Sequence, residues 1–193
     1  MDSELQAVCD AYRARLAGRP VEWCRLHPQA DDRAWSPQEV VEHLVLALRS
    51  SAGVLQTRIE KGWPSQASAT LVQRLRRTFV FTFRKLPRGA PAPPFVRPGL
   101  LHWQPMDGTA LAEQFRREMD ATDKVLATVR ERFGSRRAAS HFLLGPLSAG
   151  ERRKFHAIHC RHHLEQLRRI EKAIGPAAPS GHERSETHAP SVL

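Results

Sequence analysis

The sequence predicts an all-α helical bundle with an ordered crossover loop, on three observations. Apolar residues recur every three or four positions through five long segments, which is the period of an amphipathic helix. Strand-like alternation is short or absent. Long helices joined by connectors build bundles. The 193 residues suffice for one domain with a full hydrophobic core, which we expect over residues 1–176.

The first two predicted helices occupy the N-terminal third of the chain. The first covers Ser3–Leu16, and glycine and proline end it. A loop carrying Trp23 follows. The second helix has a clear start, because Ser36 as N-cap and Glu39 three residues later form a capping-box pattern. It is expected to run to about Lys61, before a glycine.

The central part of the chain combines a third helix with a long loop. The helix is predicted near Ala67–Lys85, where large apolar residues recur every fourth position at Leu71, Leu75, Phe79 and Phe83. The loop, residues 86–108, contains six prolines and three glycines, too many for a regular element. Loops of this length in compact domains are usually functional. Apolar side chains predict that it packs onto the domain: Phe95, Leu100, Leu101 and Trp103.

Two further helices complete the predicted bundle. One covers Thr109–Phe133, with a continuous apolar stripe and a glycine after its last residue. The last begins after Ser148, which has Glu151 at the third helical position, and ends near Ile174. Beyond it the chain lacks apolar periodicity, so residues 177–193 are expected to form a disordered tail.

The charge and cysteine content narrow the function classes. The formal net charge of +10 suits a nucleic-acid-binding protein, but the basic residues are spread over several predicted helices and no zinc-finger or RNP-like motif accompanies them. We therefore expect a solvated basic surface and no specific nucleic-acid partner. Three scattered cysteines imply no disulfide framework. Without a signal-peptide pattern or an apolar run of about 18 residues, a cytoplasmic protein with no membrane partner is expected.

The strongest functional signal is a cluster of histidines in the last predicted helix. Four of the ten histidines fall between His156 and His163. His159 and His163 are four residues apart and, at about 40° and 80° on a helical wheel, point into the apolar stripe. His156 and His162 are left with supporting or surface roles. Two interpretations stay open for the inward pair: a buried hydrogen-bond network, or two ligands of one metal ion.

A metal site of the zinc type needs a third protein ligand. His43, in the second predicted helix, is a candidate at the border of that helix's apolar stripe. Alone, such a residue is more often a boundary residue than a ligand. Its role depends on whether its helix packs beside the last one.

A resemblance to a known family rests on several of these segments. Trp35–Leu44, with the sequence WSPQEVVEHL, is followed downstream by Gly145–Ser148, Phe155 and His159–Leu167. In this order they resemble the DinB-like superfamily, and in particular a bacterial branch classed as a domain of unknown function. The resemblance spans roughly residues 3–175, and its specific content is the histidine after the first cap and the HxxHHxxQ run.

The resemblance implies a four-helix bundle that binds a divalent metal, zinc or nickel, through three histidines. Matched motif to motif, His43, His159 and His163 take the ligand role. Some relatives are thiol-dependent S-transferases, and others are described as hydrolases. Relatives often pair, so a homodimer is expected. Arg153 stands where relatives often have an aromatic residue, and the arginine-rich third helix and proline-rich loop also depart from the pattern.

The leading hypothesis is a metal-dependent enzyme, a hydrolase or a thiol S-transferase, acting on an unidentified small molecule such as a low-molecular-weight thiol. No catalytic residue beyond the ligands is identified. Gln166, one turn beyond His163, is a candidate to orient a ligand, as are His162 and His156. Glu39 belongs to the cap and Glu42 is expected to point away. The alternative is a non-catalytic binding bundle with a structural metal or a histidine hydrogen-bond network.

Overall fold

A computed structural model describes residues 1–28, 34–87 and 92–175. Its helices and strands, in chain order, are α1 (Ser3–Leu16), α2 (Val21–Arg25), α3 (Pro37–Lys61), α4 (Leu71–Phe83), α5 (Gly108–Phe133), β1 (Ala139–His141), β2 (Gly145–Leu147) and α6 (Ala149–Ile174). A single 3₁₀ turn, Pro94–Val96, lies in the loop between α4 and α5. The predicted all-α class is confirmed.

Four long helices, α1, α3, α5 and α6, form the bundle. The helix α3 packs along α5, α1 packs against α5 and α6, and α6 contacts both α3 and α5. The main core lies between these four helices and includes Tyr12, Leu44, Phe115, Met119 and Leu167. The hydroxyl of Tyr12 donates to the carbonyl of Cys160 at 2.9 Å, which fixes α1 against α6 in this core. The helix α4 is the additional segment and lies against α6 and β2.

The predicted starts of α3 and α6 are confirmed, because both have a complete capping box. The Ser36 hydroxyl accepts from the Glu39 amide, and the Ser36 amide donates to the Glu39 carboxylate at 2.7 Å. Ser148 and Glu151 make the same pair of bonds. Each cap satisfies amides that the first helical turn would leave unpaired. Gly62, in the left-handed region at φ 79°, ends α3 where predicted.

Two short elements depart from the sequence prediction. The loop carrying Trp23 contains α2, a helix of five residues. The connector before α6 is a β-hairpin in which Ala139 pairs with Leu147 and His141 with Gly145, in antiparallel register. Elements of three to five residues are too short to show a period, which is why the pattern missed them.

The helix α4 is shorter than predicted and turns its apolar stripe outward. It begins at Leu71 because Thr70 and Gln73 form a capping box, and it ends before Arg84, which has a left-handed conformation at φ 51°. Only Val80 is buried. The large residues at every fourth position are all exposed: Leu71, Leu75, Phe79 and Phe83. Their spacing therefore identifies the helix, but these side chains do not belong to the bundle core.

The proline-rich loop packs onto the domain through part of its apolar residues. Leu101 and Trp103 are partly buried against the main core, as predicted, and Val96 is buried. Phe95 and Leu100 are instead about half exposed. The amide of Leu101 donates to the Glu42 carboxylate at 2.8 Å, which ties the loop to α3.

The crossover loop ends at a close contact between two backbones. Gly108 donates its amide to the carbonyl of Arg19 at 2.9 Å. A Cβ at this position would lie 1.8 Å from the carbonyl oxygen of Leu16. Only glycine allows this approach, which joins the start of α5 to the end of α1.

Among the described residues, no helix combines the length and apolar character needed to cross a bilayer. Cys9, Cys24 and Cys160 are buried and unpaired with one another. The predicted disordered tail at 177–193 lies outside the described residues. The expectations of a homodimer and of no nucleic-acid partner stay predictions.

Candidate metal centre

The structure brings His43 of α3 together with His159 and His163 of α6. The Nε2 atoms of His43 and His159 are 3.2 Å apart, and those of His163 and His159 are 3.0 Å apart. One nitrogen from each of the three rings lies within 4.8 Å of the others. The helices α3 and α6 are therefore adjacent at the level of His43, which lies two turns after the Ser36 cap.

A backbone carbonyl fixes the orientation of His43. Its Nδ1 lies 2.7 Å from the carbonyl oxygen of Val96, in the 3₁₀ turn of the proline-rich loop. Because a carbonyl only accepts, Nδ1 carries the proton and Nε2 keeps a free lone pair. The loop therefore sets the tautomer that a metal ligand at Nε2 requires.

Gln166 performs the corresponding role for His163. The Nδ1 of His163 lies 2.8 Å from Oε1 of Gln166, one turn further along α6. Donation to this amide oxygen places the His163 proton on Nδ1 and leaves Nε2 as an acceptor. Both outer imidazoles thus present unprotonated Nε2 atoms to His159.

Aromatic rings enclose the three imidazoles. Trp35 lies against two of them, with ring centroids 4.9 Å from His43 and 6.1 Å from His163. Phe155 stacks on His159 at 5.5 Å. These rings limit the rotation of the imidazoles and the access of water, so the three nitrogens are held in one arrangement.

All three imidazoles are held in the neutral form. Burial lowers the pKa of His43, and it lowers the pKa of His163 to about 3, with the neighbouring His43 adding to the effect. Burial, followed by the proximity of His163 and His43, lowers the pKa of His159 well below its usual value. A metal requires neutral imidazoles, so these shifts favour a ligand role.

His156 belongs to a separate buried polar group, which rules out its surface alternative. It is almost fully buried, and its Nε2 lies 3.0 Å from the Ser51 hydroxyl of α3. The same hydroxyl accepts from Nη1 of Arg152 at 3.0 Å. Two buried atoms of this group have no protein partner in the described part of the chain, Nδ1 of His156 and Nε of Arg152. The sequence analysis did not identify Arg152 and Ser51, because neither residue belongs to a motif or to a periodic stripe.

The other sequence candidates lie around the centre. His162 is partly buried, and its ring packs edge-on against His163 at 5.1 Å. Glu39 caps α3, and its carboxylate accepts from Nε2 of His27 at 2.8 Å. Glu42, expected to point away, is buried and accepts from the amide of Leu101. Neither carboxylate lies among the described residues that line the cavity beside the centre. Arg153 instead pairs with Asp123 at 2.6 Å.

A cavity of about 1580 Å³ opens onto the three histidines. Its walls come from α3, α4, α6, the hairpin and the proline-rich loop. Binding sites for drug-sized ligands are commonly about 300–1,000 Å³. The centre therefore lies at the wall of a space large enough for a sizeable substrate, or for two smaller reactants.

The number of ring protons available for hydrogen bonds between the three imidazoles favours a cation between them. His43 and His163 present lone pairs, so only His159 has a proton to place between the nitrogens. One N–H makes one linear hydrogen bond, which leaves the other short contact without a proton. A zinc ion at about 2.0–2.1 Å from each nitrogen would separate tetrahedral ligands by roughly 3.3 Å. Two of the three observed separations, 3.0 and 3.2 Å, are close to that value, and all three are within 4.8 Å.

Comparison with known proteins identifies one family. A family model described as the DinB superfamily matches residues 4–167, which include α2 to α5, the hairpin, all but the first residue of α1 and all three clustered histidines. Searches of curated proteins and of solved structures find no match.

Proposed function

The chain belongs to the DinB superfamily, and from this premise we propose that it is a metal-dependent enzyme with a centre formed by His43, His159 and His163. The proposal depends on one observation, the convergence of three Nε2 atoms from two helices. Tautomer control by the Val96 carbonyl and Gln166 supports it, since it directs lone pairs towards a common point.

The donor set selects the class of metal. Three neutral imidazoles suit zinc or nickel, whereas calcium and magnesium prefer oxygen ligands. Catalytic zinc sites have three protein ligands and an open position. The cavity on one side of the centre supplies room for water or substrate at such a position.

Two reaction classes are compatible with this centre, hydrolysis and transfer to a thiol. A bound divalent ion lowers the pKa of a coordinated water to about 7, or holds a thiol in its deprotonated form. The residues of the chain bind and orient: the histidines hold the metal, Gln166 and Val96 direct two rings, and Trp35 excludes water from one face. The substrate is a small molecule, with a low-molecular-weight thiol as one reactant in the transferase form.

Metal analysis of the purified protein tests the proposal. We expect about one zinc or nickel ion per chain, and loss of this metal in each of the variants His43→Ala, His159→Ala and His163→Ala. His27→Ala is the matched control, because His27 is exposed and lies outside the three-histidine cluster. It is expected to keep the metal.

Turnover separates the enzyme from its alternative. Metal-loaded protein is expected to hydrolyse model esters or to couple a thiol to an electrophile, and the His159→Ala variant is expected to do neither. Stoichiometric metal without any turnover would favour the non-catalytic binding bundle with a structural metal. Absence of metal from correctly folded wild-type protein would favour a histidine hydrogen-bond network and contradict the proposal.

A further inference from the structure

In the described part of the chain, the charged residues that line the cavity have one sign. Among the described lining residues are three arginines, Arg76, Arg152 and Arg169, and there is no Asp or Glu. This bias exceeds that of the whole chain, which has 20 acidic residues against 30 basic ones. Clefts lined by one sign of charge concentrate ligands of the opposite sign.

Arg152 provides a buried positive charge in the wall of the cavity. Arg152 is only 2% exposed. Its guanidinium group donates to the Ser51 hydroxyl and to the carbonyls of Ala139 and Ser140, all at 3.0–3.1 Å. In the described part of the chain, its hydrogen-bond partners are this hydroxyl and these two carbonyls, and none is a carboxylate. Burial lowers the pKa of Arg152 to about 10, so it stays charged at neutral pH. A buried charge without a counter-ion is costly.

The remaining cavity wall is strongly apolar and comes from the outward stripe of α4. Leu75 and Phe79 line the cavity although they are 63% and 46% exposed. Phe95 of the loop and Phe142 of the hairpin face the same space, with ring centroids 6.0 Å apart. Part of the α4 stripe that fails to enter the bundle core is thus directed at the cavity.

We propose that this cavity binds a large apolar anion, with the hydrocarbon body against α4 and the loop and the anionic group attracted by the positive potential that Arg76, Arg152 and Arg169 supply from separate parts of the cavity wall. The proposal extends the proposed function by naming the chemical class of its substrate, and it rests on that function only in placing the ligand beside a metal. The volume of 1580 Å³ accommodates a long chain. The single sign of the charges on the described lining residues favours an anion over an amine of equal length.

Binding of three probes with the same chain tests the charge preference. Dodecanoate, dodecylammonium and dodecanol are titrated into the full-length protein by calorimetry at pH 7.5, below their aggregation concentrations. We expect dodecanoate to bind at least about 10-fold more tightly than either partner, which is the effect of a charge interaction of about 1.4 kcal/mol. Equal affinity for all three probes would overturn the proposal.

Two pairs of variants locate the binding. All four arginines compared are exposed. Arg76→Gln with Arg169→Gln removes two charges from the cavity lining, whereas Arg74→Gln with Arg132→Gln removes two charges outside the lining and changes the net charge by the same amount. Only the first pair is expected to weaken dodecanoate binding, by about 5-fold. Phe79→Ser is expected to weaken all three probes by about 5-fold or more, and Phe83→Ser, one turn away on the same stripe but not lining the cavity, to leave them unchanged.

The outcomes distinguish this proposal from the proposed function. Stoichiometric metal with no preference for dodecanoate overturns the anion site and leaves the metal centre standing. Selective dodecanoate binding by protein that holds no metal supports the anion site and overturns the metal centre. Equal weakening by both arginine pairs, or binding to anionic phosphatidylserine vesicles without binding to free dodecanoate, would assign the charges to the surface and overturn the cavity proposal.

Discussion

Gln166 accepts a hydrogen bond from the Nδ1 atom of His163 at 2.8 Å, and this contact turns the opposite ring nitrogen towards His43 and His159. Replacing Gln166 by Leu removes the acceptor while keeping the volume similar. We expect a loss of about 10–100-fold in metal affinity, which is typical for removal of a partner that orients a ligand. Competition with a chromogenic chelator measures it.

The isosteric variant Gln166→Glu is the control for this effect. A carboxylate also accepts from Nδ1, so the affinity is expected to stay at the wild-type value or rise. If Gln166→Leu held metal as tightly as the wild type, Gln166 would have no role in orienting His163.

Metal removal is expected to lower the melting temperature of the wild-type protein. A ligand that binds only the folded state stabilises it by about 2.7 kcal/mol at a free concentration 100 times Kd. The His159→Ala variant lacks one ligand, so its melting temperature is expected to be insensitive to the same chelator. Differential scanning calorimetry with and without chelator compares the two, and an equal shift in both would place the metal elsewhere.

Acidification is expected to destabilise the fold between about pH 6.5 and pH 3. Burial, with the adjacent Arg152 charge, lowers the pKa of His156 to about 3. The unfolded state therefore binds more protons than the folded state in this range, and the free energy of unfolding decreases as the pH decreases. His156 contributes a loss of about 2 kcal/mol at pH 5.

Urea unfolding of chelator-treated protein at pH 8 and pH 5 measures this dependence. In His156→Leu the free energy of unfolding is expected to change less between the two pH values, by about 2 kcal/mol. An unchanged pH dependence in the variant would show that His156 titrates alike in both states.

Replacement of glycine by alanine is expected to have opposite effects at Gly108, where the missing Cβ has no room, and at Gly150, where it has room. In Gly108→Ala the new methyl group meets the carbonyl oxygen of Leu16 at 1.8 Å, so the backbone must move. We expect a loss of about 2 kcal/mol or more in the free energy of unfolding. Gly150, in the first turn of α6, has open space around its missing Cβ. Gly150→Ala is expected to be stabilising by up to about 1 kcal/mol in the same denaturation experiment.

The long helices were predictable because each repeats one physical signal many times. The apolar stripe of α5, for example, is predicted correctly from Leu111 to Val129, and the caps at Ser36 and Ser148 are local four-residue patterns. The same logic places His159 and His163 side by side on α6. Pairing α6 with His43 on α3 required the family resemblance, because a helical period does not specify which helices are neighbours.

The features that sequence reasoning missed have no repeating signal. The Val96 carbonyl is a backbone atom, and any residue would provide it. Arg152 is one of many arginines, and its burial depends on the hairpin carbonyls that only the fold brings to it. The outward stripe of α4 has the period of a core helix, so only the structure reveals which side faces the bundle.

Because His43 bonds to the backbone carbonyl of Val96, the number of residues in the crossover loop matters more than the identity of their side chains. The carbonyl that fixes His43 is expected to stay in place under many substitutions as long as the number of residues before the 3₁₀ turn is unchanged and Pro93 and Pro94 keep their backbone shape. Adding or deleting one residue would move this carbonyl by about 3.3–3.6 Å, farther than a hydrogen bond reaches. Deep mutational scanning of this loop would accordingly show broad tolerance to exchange and sharp intolerance to changes of length.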